Sequence, residues 1–248
     1  MIQYIDAVFL PVFNLEESLK WYKKHFGIKV NWRDTNGWNA AGVGFNSGAM
    51  VMMERETINH SDHIRFNFYT PDVITCYQSL EENDVELNQL VQYEDMDCFD
   101  FKDPSGNWIG IVGRWTEKGI SPGEFVGPDA IFLPVSNIEL AIEWYQALLG
   151  GEFDLATDLH SQYPFRYGFH KNGEDRDHPR WFNLVETPNR YPQSHIPFNI
   201  QIQDASKVHR DLQGKGISVT DITDTGAFRW FNFVDPDGNE IGFVEGGR

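Results

Sequence analysis

Phe101-Lys102-Asp103-Pro104-Ser105-Gly106-Asn107 and Phe233-Val234-Asp235-Pro236-Asp237-Gly238-Asn239 are one turn written twice. In each copy the Asp side chain can bond its own backbone. The Pro presets φ for a turn, and the Gly accepts a positive φ without a Cβ clash. Strand stretches flank both copies: 98–101 and 108–112 around the first, 230–233 and 241–244 around the second. One such turn predicts a β-hairpin. Two, at matched depth behind matched helices, predict an internal duplication.

Working outward, Ala7-Val8-Phe9-Leu10-Pro11-Val12 answers Ala130-Ile131-Phe132-Leu133-Pro134-Val135, and Trp21-Tyr22 answers Trp144-Tyr145, at an offset of 123. His63-Ile64-Arg65-Phe66-Asn67 answers His195-Ile196-Pro197-Phe198-Asn199, and Asp103 answers Asp235, at an offset of 132. The second half therefore gains nine residues between Tyr145 and His195, and the charged, turn-rich stretch 173–180 is where they are expected. That stretch is either a lid or a longer hairpin.

Each half divides again. An apolar strand over 5–12 leads to a helix that Asn14 caps, with Glu17 in capping-box position. Leu15, Leu19, Tyr22 and Phe26 form its apolar face, and Gly27 stops it. Asn137, then Ile138, Ile142, Tyr145 and Leu149, then Gly150 repeat the pattern. Strands are predicted over 28–33, 39–45 and 49–54. The order then restarts: a strand over 63–69, a helix from Asp72 to about Asn83, and strands over 86–92, 97–101 and 108–112. The chain reads as four β-α-β-β-β units in an α+β fold, with domains at 1–115 and 128–248 and a Gly/Pro-marked linker at 116–127.

At 248 residues the chain can bury a sizeable core. Its net charge of −17 argues against nucleic acid, whose binding needs Lys and Arg on phosphates, and against anionic membranes. It suits a cationic ligand, or only a solvated acidic surface. The aromatic share of 15 % fills two cores or lines a flat pocket. Cys76 and Cys98 have neither metal nor redox spacing. The stretch 1–13 lacks a basic leader, and no apolar run reaches a membrane-spanning length. A cytoplasmic location is expected.

These features together, the Asn-Leu-x-x-Ser-x-x-Trp-Tyr opening, the His-Ile-x-Phe strand and the closing Phe-x-Asp-Pro-x-Gly-Asn, resemble the vicinal oxygen chelate superfamily. That group includes glyoxalase I, bleomycin-resistance and fosfomycin-resistance proteins and extradiol dioxygenases. The resemblance covers nearly the whole chain, twice. It implies tandem domains forming concave, incompletely closed barrels, with units paired either within a half or exchanged between halves.

The resemblance also implies where a divalent metal would sit: a first-strand ligand, a His in the His-Ile-x-Phe strand and a Glu in the last strand, with a further fourth-strand Glu in some members. The first-strand positions here are Ala7 and Ala130, and the last-strand positions are Gly110 and Gly242. None can ligate. His63, His195, Glu54 and Glu186 are the ligand types that remain, too few for a coordination sphere unless they converge, so no metal cofactor is expected.

If His63 keeps the family's inward direction, alternation turns His63, Arg65 and Asn67 inward, and His195, Asn199 and Gln201 in the second half. Ala7, Phe9, Ala130 and Phe132 join them, as do Trp108, Gly110, Glu240 and Gly242, with Asp100 and Asn232 alongside. The candidate ligand-binding set is His63, Arg65, Asn67, Trp108, His195, Asn199, Gln201, Asn232 and Glu240. Several have a plainer reading: a strand His is a satisfied structural residue, Asn67 and Asn199 bond a neighbouring backbone, Trp108 packs on Phe9, Gly110 and Gly242 serve strand curvature, and Glu240 lies in solvent near the turn.

The leading expectation is a metal-free small-molecule binding protein with an aromatic-lined cavity, taking an organic ligand that is aromatic or cationic, and existing as a monomer or homodimer. The alternative is a metal-dependent lyase, isomerase or dioxygenase with a non-standard site. A third reading is metal-free acid-base catalysis with His63 or His195 as base and Arg65 or Arg229 polarising an anion.

Overall fold

The Asn14 side chain accepts the Glu17 N–H at 3.1 Å, and Gly27 takes φ 62° with its N–H on the Lys23 carbonyl. Between these caps runs α1 (Leu15–Phe26), the helix the apolar spacing predicts. The computed structural model describes residues 2–34, 37, 39–45, 49–60, 64–94, 96–114, 127–156, 166–171, 182–187 and 196–246, with backbone alone at 2–4, 114, 154–156 and 166–171. His63, His195 and the stretch 173–180 lie outside the described residues.

The four repeats are β1 (Ile2–Val12), α1, β2 (Lys29–Asp34), β3 (Ala40–Gly44), β4 (Ala49–Glu54); β5 (Phe66–Tyr69), α2 (Val73–Glu81), β6 (Val91–Gln92), β7 (Met96–Lys102), β8 (Trp108–Arg114); β9 (Gly127–Val135), α3 (Ile138–Leu149), β10 (Gly151–Ala156), β11 (Arg166–Lys171), β12 (Phe182–Glu186); and β13 (Phe198–Ile202), α4 (Ala205–Gly214), β14 (Thr223–Asp224), β15 (Phe228–Val234), β16 (Glu240–Gly246). Every helix starts on the same device. Asn14, Asp72, Asn137 and Asp204 each accept a backbone N–H three residues on. In each repeat the first and last strands run parallel, across the helical crossover.

The fold is α+β, with two mixed sheets. Within one unit the strand orders are β1-β4-β3-β2 and β5-β8-β7-β6, and within the other β14-β15-β16-β13 and β10-β11-β12-β9. The chain forms two compact units, Val8–Asp129 and Met1–Ala7 with Ala130–Arg248. No described helix is long and apolar enough to cross a membrane.

One strand differs from expectation. The stretch 86–92 is a strand only at β6, with a single bridge from Leu87 to Phe101. Asn88 donates its backbone N–H to the Asp100 carbonyl at 2.9 Å and its side-chain amide to the Asp100 carboxylate at 3.1 Å.

The duplicated turn is a buried polar lock. In the first unit Asp103 accepts the Ser105 and Asn107 N–H groups on Oδ1, at 2.9 and 2.8 Å. Its Oδ2 accepts the Tyr22 hydroxyl at 3.1 Å and the Asn107 amide at 3.0 Å, and that amide also donates to the Pro11 carbonyl at 2.9 Å. The turn is thus tied to α1 and β1. In the second unit Asp235, Tyr145, Asn239 and Pro134 repeat it, with the Tyr145 hydroxyl on Asp235 at 2.8 Å. Burial raises both Asp pKa values, against the hydrogen bonds that lower them, and raises both Tyr pKa values well above 10.

Candidate functional site

Phe99 meets Tyr77 of α2 and Phe101 meets Trp21 and Phe26 of α1, so alternation turns Asp100 away from the helices. Asp100 lies opposite Gly110, and Gly110 opposite Asn67. This row crosses the helix-free face of β7, β8 and β5. A Cβ on Gly110 would stand 2.0 Å from Asn67 Oδ1 and 3.0 Å from Ile64 Cδ1. The glycine therefore accommodates the Asn67 amide, a role beside the curvature and ligand-space alternatives.

The second unit repeats the row. Phe231 meets His209 of α4 and Phe233 approaches Trp144 of α3, so Asn232 faces away from the helices. Asn232 lies opposite Gly242, and Gly242 opposite Asn199. The Asn199 side-chain oxygen Oδ1 accepts the Ala7 N–H at 2.9 Å, and the same side chain pairs with Asp6. Burial raises Asp6 above the ordinary carboxylate range, partly offset by that bond. Asn232 donates to Glu240 at 2.7 Å. Asn199 and Asn232 flank Gly242, and each bonds a carboxyl group, Asp6 and Glu240 respectively, all half-buried.

The other predicted site residues are placed as follows. Trp108 carries the Lys102 ammonium 4.9 Å from its ring centroid, and Lys102 pairs with Glu86 at 2.8 Å. Arg65 is buried and donates to the Asn59 carbonyl, and burial pulls its guanidinium down to about 10, against the pull of Asp103. Gln201 is buried on the backbone carbonyls of Ile202 and Gly246. Glu54 and Glu186 each give Oε2 to the first N–H of a helix, Leu15 at 2.8 Å and Ile138 at 2.9 Å. Glu245 does the same for Ala205 at 2.8 Å. These carboxylates serve helix N-termini, where the backbone dipole favours negative charge.

The positions at which the resemblance puts a first-strand and a last-strand metal ligand hold methyl groups and glycines, and at Gly110 the space is taken by an amide. These residues do not fit a divalent ion. Among the described residues no group of three or more His, Cys, Asp or Glu converges as ion ligands.

Sequence reasoning missed Asp6, Glu245 and a feature on β2. Asn31 and Trp32 lie over Gly44 and Gly42: Cβ atoms there would stand 2.6 Å from Asn31 Nδ2 and 2.0 Å from Trp32 Nε1. The alternate glycines of Ala40-Ala41-Gly42-Val43-Gly44 were the readable sign that one strand face is vacated.

A profile of the Glyoxalase/Bleomycin resistance protein/Dioxygenase superfamily matches residues 4–111 and 127–243. Among solved structures, glyoxalase I from Zea mays aligns over 98 % of this chain and 92 % of its own, at 19 % identity and TM-score 0.77. A Bacillus subtilis protein provisionally described as a dioxygenase aligns over 100 % of this chain and 86 % of its own, at 14 % identity and TM-score 0.75. At such identities the likeness bears on the fold alone. Comparison with the curated proteins gives no match.

Proposed function

Because the chain belongs to the glyoxalase/bleomycin resistance/dioxygenase superfamily in both halves, we propose that it is a metal-free member that binds a small organic ligand by shape and hydrogen bonds. The family hosts several chemistries, so function must be argued from the site and not from the fold. The observation that carries the reading is the pair of rows Asn67–Gly110–Asp100 and Asn199–Gly242–Asn232. Both put amides, and the first a carboxyl group as well, where a chelate enzyme needs converging imidazole and carboxylate donors. Amides supply directed donors and acceptors, and the carboxyl groups Asp6, Asp100 and Glu240 favour a ligand bearing a positive or hydrogen-rich nitrogen. Trp108 adds an aromatic face. The net charge of −17 draws such ligands in.

The test is thermal denaturation against a panel of aromatic amines, aromatic acids and neutral aromatics, with and without a chelator. A ligand present at 100 times its Kd raises stability by ~2.7 kcal/mol. The expected result is stabilisation by aromatic amines that a chelator leaves unchanged. A flat denaturation temperature across the panel, or stabilisation that requires an added divalent ion, overturns the reading.

A further inference from the structure

Strand β2 is the edge of its sheet, and it carries a bulge. Val30 pairs with Val43, but Trp32 and not Asn31 comes next, opposite Gly42. The extra residue breaks the alternation, so Asn31 and Trp32, neighbours in sequence, lie over one face of the sheet. Gly42, Val51 and Phe9 continue the Trp32 row inward. The other face is the helix side: Arg33 reaches back to Glu16 of α1, and Val43, Met50 and Met52 are fully buried there. The Asn31–Trp32 pair therefore shares the helix-free face of β1–β4. Under it the sheet is stripped to Gly42 and Gly44. Trp32 lies down on that floor yet stays 48 % exposed. Among the described residues no hydrogen bond reaches the Asn31 amide.

A tryptophan covering an edge glycine can be a packing device alone. The bulge argues for more. At the same place in the third repeat, β10 and β11 pair in unbroken register from Gly151 with Lys171 to Ala156 with Arg166. The fold is thus built there without a bulge. In β2 the bulge brings an aromatic plane and a free amide side by side, an arrangement that packing does not require.

We propose that Trp32 and Asn31 form a ligand subsite in which a planar heteroaromatic ring stacks on the indole and its polar edge bonds the Asn31 amide. This rests on the small-molecule-binding reading above and adds the ligand class and two residues to it. Stacking on an exposed indole is tolerant of ring identity, and the adjacent amide sets orientation. The acidic chain favours rings that carry amino groups.

The test is titration with proflavine, a planar tricyclic ring with two edge amino groups, at about 150 mM salt so that simple charge attraction is screened. Dye fluorescence is read with the parent chain, Trp32→Ala, Trp32→Phe, Asn31→Ala and Gly42→Ala, each checked for folding by circular dichroism. Trp32→Ala is expected to weaken binding at least ten-fold, and Trp32→Phe to keep most of the affinity because a ring remains. Asn31→Ala should weaken it about three-fold, as loss of one hydrogen bond does. Gly42→Ala keeps the indole but lifts it off its floor, and should weaken binding as Trp32→Ala does. Equal affinity in folded Trp32→Ala and parent overturns the subsite, as does no saturable proflavine binding to the parent. If either occurs while aromatic amines still stabilise the parent, the subsite fails and the binding reading stands. If nothing stabilises the parent, both fail.

Discussion

Replacing Tyr22 or Tyr145 by Phe removes one hydroxyl from a fully buried ring and leaves its packing in place. The lost contact is a hydrogen bond to a carboxylate, Tyr22 to Asp103 at 3.1 Å or Tyr145 to Asp235 at 2.8 Å. Bonds to charged groups contribute ~1.5–3 kcal/mol. The same carboxylate oxygen keeps the amide of Asn107 or Asn239, so neither Asp is orphaned and the lower part of that range applies. For a chain of this size ~1.5–2 kcal/mol lowers the melting temperature by ~3–8 °C. The effect has a pH signature. Below the raised pKa of the Asp the bond joins two neutral groups and contributes only ~0.5–1.5 kcal/mol, so the penalty should shrink on going from pH 8 to pH 4. Differential scanning calorimetry at both pH values measures it. The two substitutions share no hydrogen-bond partner and should add. A shift within about 1 °C of the parent at pH 8, or a larger penalty at pH 4, would refute the lock.

Further outcomes follow from the same geometry. Gly110→Ala should cost ~1–3 kcal/mol by overpacking, and Asn67→Ala should restore most of it, because the clash is with the tip of that side chain; urea titrations of the single and double variants give the coupling. Gly242→Ala should resist rescue by Asn199→Ala, since its nearest neighbour, at 3.0 Å, is the Asn199 Cβ that alanine retains. Glu54→Ala and Glu186→Ala should each cost ~0.5–1 kcal/mol at a helix start, and Glu245→Ala more, because it also removes one of the two carboxylate partners of Arg229, leaving Asp224 at 3.3 Å. Asp6, Asp100, Asp103 and Asp235 are all held above 3.8, chiefly by burial. As pH falls from 7 the folded chain takes up these protons before the unfolded chain does. Their contribution to stability therefore rises as pH falls through the folded pKa values and levels off near 3.8, so these groups should add to the melting temperature as pH falls from 7 toward 3.8.

Much of the fold was readable because its signals are local. Asn14 and Gly27 state where α1 begins and ends, and the Asp103 and Asp235 turns carry their own bonding. At the site, the Ala and Gly gaps stood in the sequence, whereas the occupant of the Gly110 gap depends on the cross-strand register that brings Asn67 opposite. The inward or outward phase of Glu54 and Glu186 was likewise decided by helix N-termini far along the chain. The bulge at Asn31 breaks the alternation on which any assignment of faces relies.

We propose that this chain holds its ligand without a metal. Elemental analysis of protein purified from metal-replete cells without chelator tests it most directly. The expected result is less than about one divalent ion per ten chains, and unchanged ligand affinity after dialysis against a chelator. A stoichiometric zinc, manganese, iron or nickel ion whose removal abolishes ligand binding would contradict it.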